Sequence, residues 1–161
     1  MSEVADYKLV RNSTVGAELT EEKAKLLAAK LGVRHLKDGE FLVKEGKADQ
    51  TLYVLATGKL TVTSKIAEGV EETVYTMKEG ECAGTRAFVE KTPRKATLRA
   101  VGATTVYTLT PEDFETLLDT YPRVAFRVMR ALFRVTHANL SRMNQESKQL
   151  ANYITKNGGR Y

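Results

Sequence analysis

Residues 80–97 read Gly-Glu-Cys-Ala-Gly-Thr-Arg-Ala-Phe-Val-Glu-Lys-Thr-Pro-Arg-Lys-Ala-Thr, and their types and order suit the capture of an anion. Gly84 permits a tight turn that brings backbone close to a ligand. The short segment after it can aim backbone N–H groups at negative charge. Arg94, set by Pro93 just ahead of a strand, is placed to return a guanidinium to the same anion. Arginine suits that position because its planar fork meets two phosphate oxygens at once. Taken alone, Arg94 has a second reading, as the partner of a buried carboxylate or of backbone carbonyls.

Other chemistry is thin. The two histidines, His35 and His137, and the single cysteine, Cys82, lie far apart and show no metal-ligand spacing, so no metal or cofactor is expected. Cys82 reads as a small buried hydrophobe at the edge of a strand. His137 reads as a surface histidine on a helix. Glu71 and Glu72 form an exposed pair in a hairpin loop. No nucleophile elbow, phosphate-binding Walker loop or paired-carboxylate pattern is present, and an enzyme is not expected.

The elements that must position this run change period along the chain. The first 18 residues are polar and mixed, and read as an N-terminal extension. Thr20 followed by Glu21 and Glu22 reads as an N-cap with acids in the positive first turn, and Gly32 as a stop, which predicts a helix over 20–31. From Leu36 onward short apolar runs follow one another: 41–43, 52–55, 60–63, 73–77, 96–101 and 104–109. Glycines punctuate them at 39, 46, 58, 69, 80 and 102. Turn signals at such intervals mark an all-β sandwich or barrel, and the lack of crossover helices favours antiparallel pairing.

After Thr110 the period is helical again. Thr110-Pro111-Glu112-Asp113 is an N-cap, a proline at the first helical position and two acids, opening a short helix to Leu118. One long helix is expected over 122–150, with 151–161 a flexible tail. Its apolar arc spans roughly 220°, about twice what one packing surface needs. A homodimer through residues 124–143 accounts for the second side; a single deep groove in the same subunit is the other reading. Arg123, Arg127, Arg130 and Arg134 fall on the opposite face and read as solvated. The predicted fold is mainly β with flanking helices: an antiparallel β-roll of the jelly-roll barrel kind, a short N-terminal helix and a long C-terminal one.

At 161 residues, with 42% hydrophobic and 28% charged, the chain is one domain with a core needing no disulfides. Acids and bases alternate, so the net charge of +5 describes a solvated surface better than nucleic-acid binding. The acidic start lacks the apolar core of a secretory signal, and no stretch approaches the ~20 apolar residues of a membrane span. One cysteine fits a reducing compartment, so a cytoplasmic location is expected.

In this order and spacing the run from Gly80 to Thr97 resembles the phosphate-binding cassette of cyclic-nucleotide-binding domains. That family includes catabolite-activator-type regulators, regulatory subunits of cyclic-AMP-dependent kinase and gated channels. The resemblance extends to Asp38-Gly39-Glu40, Lys44-Glu45-Gly46, Leu52-Tyr53-Val54-Leu55, Thr57-Gly58-Lys59-Leu60, Pro111-Glu112-Asp113-Phe114 and the long helix. It implies that Gly84, Ala87 and Arg94 hold a cyclic phosphate, with Thr97 on the following strand. It also implies that the long helix lids the base or joins subunits. The pattern departs at four places. Thr85 stands where the family has its ribose-binding glutamate, Arg86 where it has an apolar residue, Lys95 where it has a small one and Ala83 where it has an aromatic. Two readings therefore stay open: cyclic AMP or a related, more anionic ligand is bound, or the domain has lost its ligand and serves as a protein-interaction module. Family transcription factors carry a helix-turn-helix after the long helix; only about a dozen residues follow Leu150, too few for one.

Overall fold

The computed structural model describes residues 3–158, beginning with α1 (Tyr7–Arg11) and α2 (Glu21–Ala28). Thr20 caps α2 as expected, its hydroxyl accepting from the Lys23 N–H at 3.3 Å. The helix ends at Ala28, short of the predicted Leu31, because Lys30 and Leu31 donate back to Leu27 and Ala28 in a tightened last turn. Gly32 is not its stop. It opens β1 (Gly32–Leu36) opposite Thr108, whose hydroxyl leaves no room there for a Cβ. Residues 1–18, expected to be an extension, contribute Ala5, Val10 and Val15 to the core beside Leu19, each at most 5% exposed. Val10 lies on the five-residue α1 and Ala5 and Val15 outside any helix, too short a helical stretch for a periodicity to announce them.

The remaining elements are β2 (Phe41–Val43), β3 (Leu52–Ala67), β4 (Val70–Met77), β5 (Cys82–Ala83), α3 (Thr85–Glu90), β6 (Thr97–Leu109), α4 (Pro111–Thr120) and α5 (Pro122–Gly158). The sheet runs β1-β6-β3-β4, with β2 also on β6 and β5 on β3, and every pairing is antiparallel. The roll expected from the sequence is present. Its runs at 52–55 and 60–63, and at 96–101 and 104–109, are not four strands but two long ones. Gly58 and Gly102, read as turns, lie inside β3 and β6 at positive φ, where the β3–β6 register slips from Thr57↔Thr105 to Lys59↔Val101. Such bulges bend a strand and sharpen its twist.

Residues 52–56 are buried on both faces, so the strand reads as a continuous apolar run. Leu52, Val54 and Ala56 join the helices in one cluster; Tyr53 and Leu55 fill the roll with Leu36, Leu60, Leu98 and Val106 in another.

Thr110 caps α4 through the Asp113 N–H at 3.1 Å. In α5, Val124, Ala125, Val128, Ala131 and Leu132 are buried. Within the chain the helix therefore covers one side, at its N-terminal end, and part of the expected 124–143 interface is already used. Beyond Leu132 every residue described to Thr155 is exposed. The helix runs on to Gly158, past the end expected at 150, since no glycine or proline interrupts it earlier; residues 159–161 lie outside those described. The arginine face is not purely solvated either: Arg130 and Arg134 meet the Glu18 carboxylate at 3.5 and 3.0 Å and tie the N-terminal segment to α5.

Candidate functional site

A glycine at positive φ lies within the short segment between β4 and β5, and another follows β5. Gly80 (φ 93°) turns the chain after β4, and its N–H donates to the Leu55 carbonyl at 2.7 Å. Gly84 (φ 88°) is the N-cap of α3 in the left-handed region, where a side chain would be strained. Space adds to the restriction: a Cβ there would run into the Arg94 guanidinium and lie 3.0 Å from the Thr51 carbonyl oxygen. The first N–H groups of α3 have no partner within the helix. Ala87 and Phe88 anchor its inner side, and Phe88 meets Phe114 of α4 edge to face at 5.5 Å.

Arg94 is fixed by its backbone, which accepts from the Gly46 N–H at 2.8 Å and donates to the Lys47 carbonyl at 3.0 Å. The residue is only 6% exposed. Its guanidinium donates to the Thr51 carbonyl, lies 3.6 Å from Asp49 Oδ1 and sits 5.3 Å from the centre of the Tyr53 ring. Its Nε has no hydrogen-bond partner among the described residues. Arg94 thus partners a carboxylate and a carbonyl, and it also lines a cavity. Burial alone would push the Asp49 carboxyl up. Hydrogen bonds from the Tyr53 hydroxyl (2.6 Å) and the Thr51 N–H (3.0 Å), with the Arg94 charge, outweigh it and hold the group below its ordinary value. Tyr53, buried and bonded to Asp49, is pushed up to about 12.

The cavity holds about 510 Å³, within the ordinary range for a small-molecule site. Gly84, Thr85, Arg86, Ala87, Arg94 and Lys95 all line it, so six of the seven residues singled out from the sequence converge. Thr97 is not among the lining residues; its hydroxyl accepts the Glu45 N–H at 2.9 Å and fastens the start of β6. Thr85 lies 4.0 Å from the Cys82 sulfur, and burial raises that thiol. Arg86, exposed at the border of the cavity, pairs with Glu90 at 3.1 Å one turn along α3.

Sequence reasoning missed Asp49, Tyr75, Glu81 and the α5 residues Val135, Asn139 and Arg142, the last five of which line the cavity. Glu81 accepts from the Tyr75 hydroxyl at 2.8 Å and from the Lys78 N–H at 2.6 Å. Its place directly after Gly80, opening the run first noted, was the one available signal. The α5 residues carry none, because which face of a helix overhangs a cavity is set by packing elsewhere. Among the described residues no group of histidine, cysteine and carboxylate side chains could hold a metal, and no helix is long and apolar enough to cross a membrane.

A family model described as a cyclic nucleotide-binding domain matches residues 33–121. A cGMP-dependent protein kinase of Toxoplasma gondii is 31% identical over 143 residues, 88% of this chain and 14% of that protein. A cAMP-dependent protein kinase regulatory subunit of Emericella nidulans is 34% identical over 97 residues, 60% of this chain and 23% of that one. The chain therefore spans under a quarter of the length of either. Among solved structures, a cyclic nucleotide-binding domain from Methylobacillus flagellatus superposes with a TM-score of 0.79 at 18% identity, covering 91% of this chain and 86% of the other. The catabolite activator protein of Thermus thermophilus gives 0.77 at 24% identity, covering 86% and 63%. At those identities the likeness is one of fold.

Proposed function

The chain belongs to the cyclic nucleotide-binding domain family, and from that membership we propose that it is a non-enzymatic regulatory domain binding a cyclic nucleotide or related anionic ligand. The observation that carries this reading is the contact between Gly84 and Arg94 at the wall of the 510 Å³ cavity. There a turn without a side chain, the first residues of α3, whose N–H groups lack partners within the helix, and a guanidinium line one space. A phosphate would accept from those N–H groups and from the Arg94 guanidinium. Val135, Asn139 and Arg142 would touch the base or sugar, so occupancy would bias the position of α5 and whatever it holds. The lone, partly buried thiol of Cys82 suits a reducing, cytoplasmic setting.

Titration calorimetry with cyclic AMP and cyclic GMP tests the reading. Saturable binding lost in Arg94→Ala is expected. Thr85→Glu, which restores an acceptor for the ribose 2′-hydroxyl, should tighten it by about 10- to 150-fold, the worth of a hydrogen bond to a charged group. Silence at millimolar concentrations of both, or binding that survives in Arg94→Ala, overturns the cassette assignment.

A protein-interaction role has its own support in the exposed length of α5. Phe126, Phe133, Leu140, Met143, Leu150 and Ile154 recur at intervals of seven, three and four and are each more than half exposed. That is the a/d pattern of a coiled-coil seam. A helix exposed from Phe133 to Thr155 is marginal by itself, and a second copy of the chain, bringing the same seam, would cover the apolar side.

A further inference from the structure

We infer that the cavity prefers a dianionic phosphomonoester, a nucleoside 5′-monophosphate, to the monoanionic cyclic phosphodiester; the inference rests on the cassette reading of the same cavity. The charged side chains lining it are Arg86, Arg94, Lys95, Arg142 and one carboxylate, Glu81. That carboxylate is already engaged. Both its oxygens accept from the Tyr75 hydroxyl at 2.8 Å, and Oε1 also takes the Lys78 N–H.

The cations are engaged unequally. Arg94 is held through Nη2 by Asp49 and the Thr51 carbonyl, so part of its charge is already matched within the chain. Among the described residues Arg86 and Arg142 form ion pairs only with Glu90 (3.1 Å) and Glu146 (4.0 Å), one helical turn away, and all four side chains are more than half exposed. Such pairs are weak and exchange readily for a better acceptor. Lys95 is exposed and has no carboxylate within 4.0 Å among the described residues.

A cyclic phosphodiester brings one negative charge, which Arg94 and the α3 N–H groups would absorb. The monoester formed by opening that ring brings about −1.5 to −2 at neutral pH and a third terminal oxygen. The extra charge has Lys95 and Arg86 to meet it. Thr85, neutral between Gly84 and Arg86, offers a hydroxyl where a carboxylate would repel a dianion.

The test is titration calorimetry of the full chain with 5′-AMP against cyclic AMP, and 5′-GMP against cyclic GMP; each pair differs only in the phosphate ring. For at least one pair the monophosphate should bind tenfold or more tightly. Lys95→Gln and Arg86→Gln, both at exposed positions, should reduce that ratio. Thr85→Glu should move the two ligands in opposite directions, weakening the monophosphate and tightening the cyclic form. Arg94→Ala should abolish both. Cyclic nucleotide binding equal to or tighter than the monophosphate, lost in Arg94→Ala, overturns this inference and leaves the cassette reading standing. Monophosphate binding indifferent to Arg94→Ala, or no binding of any of the four, overturns both.

Discussion

Arg94 borders a cavity and is nonetheless only 6% exposed, and it is kept in that position by Asp49. A buried guanidinium without such a partner would be costly, so Asp49 acts on the site through Arg94. The Asp49 carboxyl is held below its ordinary value of 3.8, so its contribution to stability is present above that value and disappears as pH falls through the lower, folded-state value. Wild type should therefore be more stable than Asp49→Asn at neutral pH, with the gap closing as the pH is taken below about 4. Urea denaturation at a series of pH values measures it. A gap that stays constant into strong acid would show that the carboxylate charge is not what fixes Arg94. The same residues mark how far local reading reaches: Arg94 stood out beside Pro93, whereas Asp49 and the Thr51 carbonyl reach it only across the fold.

At the scale of elements, the two interior glycines of the long strands have different work, and substitution separates them. Gly58 sits at φ 94°, and a Cβ there would lie 2.7 Å from the Ala103 carbonyl oxygen and from the Thr104 hydroxyl. Gly102 sits at φ 72° with nothing within 4 Å of the added carbon. Gly102→Ala should cost only the left-handed backbone penalty, about 1–2 kcal/mol. Gly58→Ala must in addition push β6 away from β3, and should lose about 3 kcal/mol or more. Chemical denaturation of the two variants checks the order; equal losses would mean that β6 yields freely at Ala103. These glycines read as turns in sequence because a bulge and a turn ask for the same backbone conformation. Which of the two forms depends on whether the flanking runs pair with each other or with a third strand. Here both runs on either side of Gly58 pair with β6.

For the whole molecule, the disposition of apolar surface matters most. The roll and the N-terminal helices enclose two adjoining clusters, while the outer two-thirds of α5 stands clear of both. The proposed dimer follows from that imbalance. Light scattering at tens of micromolar should give twice the chain mass of 17.9 kDa, and Leu140→Glu, on the seam and away from the core, should return the monomer with its melting curve little changed. A monomeric wild type would remove the dimer and leave the cavity reading untouched. Val135, Asn139 and Arg142 share this helix with the seam, so a ligand in the cavity and a partner on α5 would act on one element.

Sequence by itself determined the parts whose physics is local. The caps at Thr20 and Thr110 follow from side-chain hydroxyls within reach of the next turn's N–H groups. The antiparallel roll follows from short apolar runs between turn formers, and Gly84 and Arg94 stood out by residue type as candidates for one site. Only the tertiary structure decided that two glycines bend strands instead of ending them, that Val10 and Val15 complete the core, and that Arg94 answers to Asp49. It alone decided which face of α5 overlooks the cavity. The division has one cause. Backbone preference and capping act within a few residues, whereas burial, charge partners and the walls of a cavity depend on which distant segments pack together, and no local pattern encodes that.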